Sequence, residues 1–284
     1  MILLLDAGNT RVKWGVRQAG VWLARGVCST REVACLPADL AIYPLRRALL
    51  CCVANEATRA ALGKLLLDRV EHLAWLTSAA DAHGVRNAYQ PPESLGADRY
   101  AALVAAARRG LGDCVVVSVG TALTVDALTA DGRFLGGAIA PGPDLMRAAL
   151  LDGTAGVRDY APPMQARRLR YKGLLWGTAG VRDCAGSVDS SVDSAVDSAV
   201  ANSVAGFPVA TGAAVASGIA LAQAGVVAGM RERLARSTGK PVTVLLSGGA
   251  RALLTSLLEP PVVEVDDLVL EGLAWIAKDK EWDD

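Results

Sequence analysis

The chain has 284 residues, of which 52% are hydrophobic and 20% charged, and its 29 basic residues balance its 29 acidic residues. This balance leaves no positive surplus for a row of phosphates, which argues against a dedicated nucleic-acid binder. The apolar content excludes disorder of the whole chain, and only six cysteines exclude a disulfide scaffold. At about 100–200 residues per domain, the length fits one large domain or two fused halves.

An apolar run, Met1 to Leu5, opens the chain and ends at Asp6. It lacks a basic flank and is too short for the apolar region of a signal peptide, so it predicts the buried first strand of a cytoplasmic protein. No uninterrupted apolar stretch reaches the ~20 residues of a membrane-spanning helix. The cysteines form no C-x-x-C pair and no histidine has ligand spacing, which predicts reduced thiols rather than a zinc site.

Residues 1–112 are predicted to form an N-terminal αβ half. Short strands separated by glycine-containing turns predict a three-stranded meander at the start of the chain. A strand, a helix and another strand follow, and an alanine-rich helix comes after a proline-containing loop. The predicted strands are Leu3–Asp6, Val12–Val16, Val21–Val27, Leu49–Val53 and Leu73–Leu76, the helices are Glu56–Val70 and Gly96–Arg109, and the loop is Ser78–Glu93.

Residues 113–284 are predicted to form a C-terminal αβ half. Both halves begin with a strand, a Gly-Asn or Gly-Thr turn and a returning strand, which indicates a duplicated unit with its boundary near residue 112. The predicted strands are Cys114–Val119, one through Ala127, one through Ile139, and Val242–Leu246; the predicted helices are Pro143–Asp152, Gly212–Leu234, Gly249–Leu258 and Asp266–Lys278, the last capped by Asp266 or Asp267.

A biased tract at 186–206 repeats Val-Asp-Ser with a four-residue period. The period would allow a weak amphipathic helix, but serine and aspartate are poor helix formers and the valine stripe is thin. The composition therefore favours a mobile surface insertion, which we expect to be dispensable for folding.

Four polar segments carry the candidate chemistry. Asp6 to Lys13 follows a buried strand, where a glycine lets backbone approach a phosphate and Asp6 could hold Mg²⁺ through water. Ser118 to Asp126 repeats the Gly-Thr turn, and Leu246 to Arg251 runs from a strand through glycines into a predicted helix that suits a nucleotide. Pro91 to Arg99 places an acid and a base in the first turn of a helix. Taken singly, the first three segments are also explained by hairpin turns or glycine packing, and Pro91 to Arg99 is explained better by helix-end electrostatics than by a site.

Together the segments resemble the type III pantothenate kinases of the acetate kinase, sugar kinase and actin superfamily. The shared motifs are D-x-G-N-T, Y-x-x-P-x-x-L-G-x-D-R, G-T-A-x-T-x-D, G-G-x-I-x-P-G (Gly136 to Gly142) and S-G-G-A, in that order from Met1 to about residue 278. The resemblance implies an α/β protein with two ribonuclease-H-like halves, each a mixed sheet flanked by helices, with ATP in the cleft between them. It also implies a homodimer that phosphorylates pantothenate in coenzyme A biosynthesis.

The resemblance assigns roles residue by residue. It makes Asp98 the general base that takes the proton of the pantothenate hydroxyl. The implied pantothenate contacts are Tyr89, Gly96, Ala97, Asp98, Arg99 and Thr211; the implied ATP contacts are Asp6, Ala7, Gly8, Asn9, Thr10, Arg11, Val12, Lys13 and Thr121. Many family members have an aspartate associated with a monovalent cation where this chain has Ser118. A hydroxyl is a poorer cation ligand than a carboxylate, so we expect a requirement for Mg²⁺ with little response to K⁺ or NH₄⁺.

Two other functions stay open from the sequence. One is a kinase of the same superfamily for another small alcohol, distinguished by the residues around Tyr89 and Asp98. The other is a regulatory or accessory protein that keeps the fold, since relatives of the family have been described as accessory factors. Intact Asp6, Asp98, Arg99 and Thr121 favour catalysis, and no basic recognition element for DNA stands out.

Overall fold

A computed structural model describes residues 1–160 and 207–282. The tract at 186–206 and Cys184 lie outside the described residues. Two compact units are present, Met1–Pro143 with Gln223–Asp284 and, separately, Asp144–Ala222. The first unit holds both sheets and every candidate residue except Thr211, and the second holds the described residues from 144 to 222.

The first sheet is built from β1 (Ile2–Ala7), β2 (Arg11–Gln18), β3 (Val21–Ser29), β4 (Arg47–Cys52) and β5 (His72–Trp75). Their order is β3-β2-β1-β4-β5. The predicted meander is confirmed, since β2 is antiparallel to both β1 and β3, whereas β4 runs parallel to β1 and β5. β1 and β4 are central and almost wholly buried because both are continuous apolar runs, as strands covered on both faces must be.

The second sheet is built from β6 (Asp81–Ala82), β7 (Val85–Asn87), β8 (Cys114–Val119), β9 (Ala122–Leu128), β10 (Arg133–Pro141), β11 (Thr243–Ser247) and β12 (Val262–Glu264). Their order is β12-β11-β8-β9-β10-β7-β6. β8, β9 and β10 form a second antiparallel meander, and β11 is parallel to β8. Both sheets are therefore mixed and both contain the strand, turn and returning strand that the sequence predicts.

The helices are α1 (Leu36–Leu40), α2 (Glu56–Leu67), α3 (Ala97–Arg109), α4 (Pro143–Gly153), α5 (Ala155–Tyr160), α6 (Thr211–Thr238), α7 (Ala252–Thr255) and α8 (Leu268–Asp279). α3 and α8 share one apolar core with side chains of both sheets, such as Leu4 and Val116. The opposite face of the first sheet packs on α1 and α2, and that of the second sheet on α6 and α7. The mixed α/β fold class that the sequence predicts is confirmed.

Two predictions of local structure are wrong. Residues 78–93 are not a plain loop, because they contain the short pair β6 and β7, which joins the second sheet. The helix predicted over Gly249–Leu258 is only the four residues of α7. The chain turns tightly there because Gly248 has a φ of +102° and a Cβ on it would lie 2.3 Å from the carbonyl oxygen of Val119.

Among the described residues, α6 alone is long and apolar enough to cross a membrane by length and composition. The core helices of soluble proteins pass the same test, and one third of its most apolar window is buried. The feature is therefore weak evidence for a membrane span.

Candidate active site

The turn after β1 is held by hydrogen bonds of its own backbone and of Thr30. Gly8 N–H donates to the Arg11 carbonyl at 2.9 Å, and the Thr30 hydroxyl donates to the Gly8 carbonyl at 2.9 Å. Thr30 N–H donates to the Thr10 carbonyl at 3.1 Å. The turn between β1 and β2 is thus fixed from the end of β3, and the side chains of Asn9 and Thr10 are exposed.

A second turn, between β8 and β9, meets the first. The hydroxyl oxygens of Thr10 and Thr121 lie 2.9 Å apart in a hydrogen bond. Gly142 N–H donates to the Thr121 carbonyl at 2.9 Å, and a Cβ on Gly142 would lie 2.0 Å from the Gly120 carbonyl oxygen. The two Gly-Asn/Thr turns that the sequence singled out are therefore adjacent, one from each sheet.

Asp6 lies at the end of β1 among several charged groups. Its register partners on the two neighbouring strands are Lys13 on β2 and Cys51 on β4. Its pKa is raised to about 7, mainly by burial and also by the charge of Asp98, while Lys13 and a hydrogen bond with Cys51 oppose the rise. Asp6 and Asp98, which are 92 residues apart in the chain, therefore lie within electrostatic range of each other.

Asp98 occupies the first turn of α3. Its Oδ1 accepts a hydrogen bond from Arg99 N–H at 2.8 Å, and a Cβ on Gly96 would lie 2.7 Å from the same oxygen. Burial raises the pKa of Asp98, while the Arg99 N–H and the Arg99 charge oppose the rise. A carboxylate with a raised pKa is a stronger base than an ordinary aspartate.

Arg99 points away from Asp98 and forms a buried ion pair with Asp126 on β9. Its Nε lies 3.1 Å from Oδ2 and its Nη2 lies 2.5 Å from Oδ1, and the two side chains are 7% and 2% exposed. Arg99 Nη1 also donates to the hydroxyl of Tyr89 at 3.1 Å. The Asp126 hydrogen bonds and charge raise the pKa of Arg99 despite its burial, which by itself lowers it.

Lys13 meets an acid at the start of α8. Its Nζ lies 2.6 Å from Asp267 Oδ1. Asp267 is the residue preceding α8, but its side chain caps no N–H of that helix because the carboxylate is directed to Lys13. The predicted helix and its bounding residue are confirmed, while the predicted capping role of this side chain is wrong.

The S-G-G-A segment contributes a turn and not a helix N-terminus. Ala250 N–H donates to the Val119 carbonyl at 3.1 Å, and Arg251 forms ion pairs with Glu264 and Asp266. A Cβ on Gly249 would lie 3.0 Å from Arg11 Nη1. The segment therefore packs against the end of β8 and lies close to Arg11, one of the residues assigned to ATP by resemblance.

The donor groups fit Mg²⁺ better than a tightly held monovalent cation. The described residues contain no cluster of three or more His, Cys, Asp or Glu side chains that could hold a metal ion on its own. Mg²⁺ needs few protein ligands beside phosphate and water, and the half-buried Asp6 carboxylate at the end of β1 meets that need. Ser118 is flanked in register by Thr124 and Ser247, so its neighbours in the sheet offer hydroxyl groups and no carboxylate.

The first unit thus brings together most of the residues singled out by sequence. Thr211 begins α6 in the second unit and is exposed. Reasoning from sequence missed three contacts: Asp126 with Arg99, Asp267 with Lys13, and Cys51 with Asp6. Asp126 stood in a quoted motif without a role, whereas nothing in the sequence marked Cys51 or the partner of Lys13.

Two mixed sheets, each with a strand, a turn and a returning strand, and with the two turns in contact at Thr10 and Thr121, define the class as a mixed α/β protein with a repeated turn motif. The solved structures agree on the fold. A putative Baf family transcriptional activator from Campylobacter jejuni has a TM-score of 0.54 at 17% identity and covers 98% of each chain. A putative 2-dehydro-3-deoxygalactonokinase from Sinorhizobium meliloti has a TM-score of 0.53 at 15% identity and covers 99% of each chain.

Sequence comparison gives the family. The model of the type III pantothenate kinase family matches residues 2–179. A type III pantothenate kinase of Aromatoleum aromaticum is 38% identical over 280 residues, which cover 98% of both proteins. That of an Azoarcus species is 39% identical over 283 residues, covering 98% of this chain and 90% of the relative. The chain belongs to the type III pantothenate kinase family.

Proposed function

We propose that the protein phosphorylates pantothenate with ATP to give 4′-phosphopantothenate and ADP, with Asp98 as the general base. The observation that carries this proposal is the position of Asp98: its carboxylate is half-buried, has a raised pKa and lies in electrostatic range of Asp6. Family membership supports the substrate pair, and the electrostatic interaction of Asp98 with Asp6 supports the choice of base.

The paired turns support the assignment of the ATP phosphates. Phosphoryl transfer depends mainly on positioning and on neutralising charge at the transferred group. The Thr10 and Thr121 hydroxyls approach one point from two sheets, and Lys13 lies opposite Asp6 on the adjacent strand. These residues would orient the terminal phosphate, while Mg²⁺ held through Asp6 would neutralise phosphate charge when bound.

The chemical step uses one proton acceptor. The primary hydroxyl oxygen of pantothenate forms a bond to the γ-phosphorus while the bond from that phosphorus to the β–γ bridging oxygen breaks, and ADP leaves with the electron pair. Asp98 accepts the hydroxyl proton. Arg99 does not form an ion pair with this carboxylate because its side chain is held by Asp126. The absence of that ion pair supports the assignment of Asp98 as the base.

Further features belong to the same proposal. By analogy with the family, Thr211 would contact pantothenate near the interface of a homodimer. We also propose that the protein is cytoplasmic. The division into halves at 1–112 and 113–284 is proposed to correspond to the two ribonuclease-H-like repeats.

The experiment that tests the substrate assignment is an acceptor panel. ADP release is followed with saturating Mg²⁺ and ATP and with pantothenate, glucose or 2-dehydro-3-deoxygalactonate as acceptor. We expect ADP release that depends on pantothenate and remains at background with both sugars. Equal or higher rates with a sugar acceptor would assign the fold to a different kinase.

A further inference from the structure

The buried pair of Arg99 and Asp126 is more elaborate than a simple ion pair. Asp126 accepts hydrogen bonds from Nε and Nη2 of the same guanidinium, which is a side-on, two-point contact. Nη1 donates to the Tyr89 hydroxyl, and the guanidinium lies 5.4 Å from the centroid of the Tyr89 ring. Three of the five N–H groups are therefore used within the described residues.

β10 is shaped to admit this pair. A Cβ on Gly137 would lie 2.0 Å from Asp126 Oδ1 and 2.8 Å from Arg99 Nη2, so any side chain there would displace both partners. Phe134 on the same strand lies beneath the guanidinium, with its ring centroid 5.9 Å away. The Arg99 side chain is thus held in one orientation by contacts with Asp126 on β9, with Phe134 on β10 and with Tyr89.

This geometry limits what Arg99 can offer to a ligand. One N–H remains on each terminal nitrogen, and the hydroxyl of Tyr89, having accepted from Nη1, has its own proton to donate. These remaining donors suit a planar acceptor such as a carboxylate or an amide carbonyl. Pantothenate carries both groups, an amide carbonyl in the middle of the molecule and a carboxylate at the end opposite the alcohol that reacts.

We infer that Asp126 is a positioning residue for substrate selection, which together with Gly137 fixes Arg99 and Tyr89 so that their remaining donors face the pantothenate acceptor groups. This inference rests on the proposed function. It gives a role to the aspartate of G-T-A-x-T-x-D and to the glycine of G-G-x-I-x-P-G. It also removes Asp126 as a cation ligand, because its carboxylate is committed to Arg99.

The test separates a positioning role from a structural one by the two Michaelis constants. Asp126→Asn keeps the shape but loses the charge and one acceptor, so the guanidinium is no longer held side-on. We expect the KM for pantothenate to rise roughly tenfold or more with the KM for ATP within about twofold of the parent. Asp131→Asn is the matched control, since it removes an exposed carboxylate between β9 and β10 that pairs with Arg86. It should leave both constants unchanged.

A double-mutant cycle tests whether Asp126 acts through Arg99. Arg99→Lys keeps the charge but cannot make the two-point contact. If Asp126 works through this residue, adding Asp126→Asn to Arg99→Lys should change the pantothenate KM little further. Additive effects would overturn the inference, as would an unchanged pantothenate KM in folded Asp126→Asn protein or an equal rise in both constants.

A second, more conservative variant keeps the test decisive in case Asp126→Asn does not fold. If Asp126→Asn does not fold, Asp126→Glu, which retains the charge on a longer arm, must show the selective rise in pantothenate KM. An unchanged KM in Asp126→Glu, or failure of both variants to fold, would assign the pair to stability alone and overturn the inference. Lack of any pantothenate phosphorylation by the parent would instead refute the proposed function.

Discussion

Thr10 and Thr121 join the two sheets through a hydrogen bond between their hydroxyls, 2.9 Å apart, although 111 residues separate them in the chain. Each lies in the turn that follows a buried strand, β1 or β8. The contact places the two turns against each other, and a polyphosphate can be held from two sides only if the turns keep this relation. The residues that hold the turns in place should therefore affect ATP more than pantothenate.

Gly142 offers the sharpest test of that relation. Gly142→Ala would place a methyl group against the Gly120 and Thr121 carbonyls, both of which are backbone atoms that cannot move aside alone. We expect a loss of about 1–3 kcal/mol in the free energy of unfolding and a higher KM for ATP. Gly229→Ala, at an exposed position of α6 with open space around it, is the control and should be neutral or stabilising. Normal ATP kinetics in Gly142→Ala would show that the Thr121 turn does not position the nucleotide.

Asp98→Asn tests the general base. The amide keeps the shape of the side chain but cannot accept the hydroxyl proton. Turnover should fall by roughly 10²–10⁴ while ATP binding is retained. Thermal unfolding and nucleotide binding serve as controls for folding. Near-normal turnover in a folded variant would refute the role of Asp98.

The raised pKa of Asp6 predicts a pH-dependent stability. The carboxyl ionises near 3.8 in the unfolded chain and near 7 in the folded protein, so between these values the folded state holds a proton that the unfolded chain has lost. The contribution of Asp6 to the free energy of unfolding therefore falls as pH rises from about 4 to about 7 and stays low above. Asp6→Asn should be more stable than the parent by about 1–3 kcal/mol at alkaline pH, with the difference shrinking toward pH 4.

Chemical denaturation in EDTA at several pH values measures this difference. A parent and Asp6→Asn protein with parallel pH profiles would show that Asp6 ionises normally. The expected result would mean that the fold gives up stability to keep a carboxylate at the end of β1, as sites that bind metal and phosphate often do.

Ser118 predicts the cation response. The side chain is a hydroxyl between two other hydroxyl residues in register, which gives a weakly hydrated K⁺ no protein charge to bind. We expect activity that requires Mg²⁺ but changes little when K⁺ replaces Na⁺ at constant ionic strength. Ser118→Asp would introduce a carboxylate and could create a response that the parent lacks. Steep activation of the parent by K⁺ would contradict the prediction, and Asp126 could not account for it while bound to Arg99.

The parts of the fold that were predicted from sequence are those with strong local signals. β1 and β8 are continuous apolar runs, and α3 and α8 have apolar residues at helical spacing, so their existence and approximate bounds follow from pattern alone. β6 and β7 were missed because two- and three-residue strands carry too short a pattern to detect. α7 was overestimated because the Gly248 turn depends on contact with β8, which no local window contains.

The candidate site likewise contains residues that local motifs indicated and contacts that they did not. Asp6, Thr121 and Asp98 were singled out because they stand in motifs that resemble a known family, and their roles stay predictions. The partners of Arg99 and Lys13 come from residues 27 and 254 positions away, and only the register of strands and the start of α8 bring them together. Buried charge pairs of this kind are set by tertiary packing, so a single sequence does not reveal them.

The central claim is tested most directly by identifying the product. The parent protein and Asp98→Asn are incubated with ATP, Mg²⁺ and pantothenate, and mass spectrometry quantifies ADP and phosphorylated pantothenate. The account predicts one 4′-phosphopantothenate for each ADP in the parent, with both products reduced together in the variant. ADP formed without phosphorylated pantothenate, or no ADP at all from the folded parent protein, would contradict it.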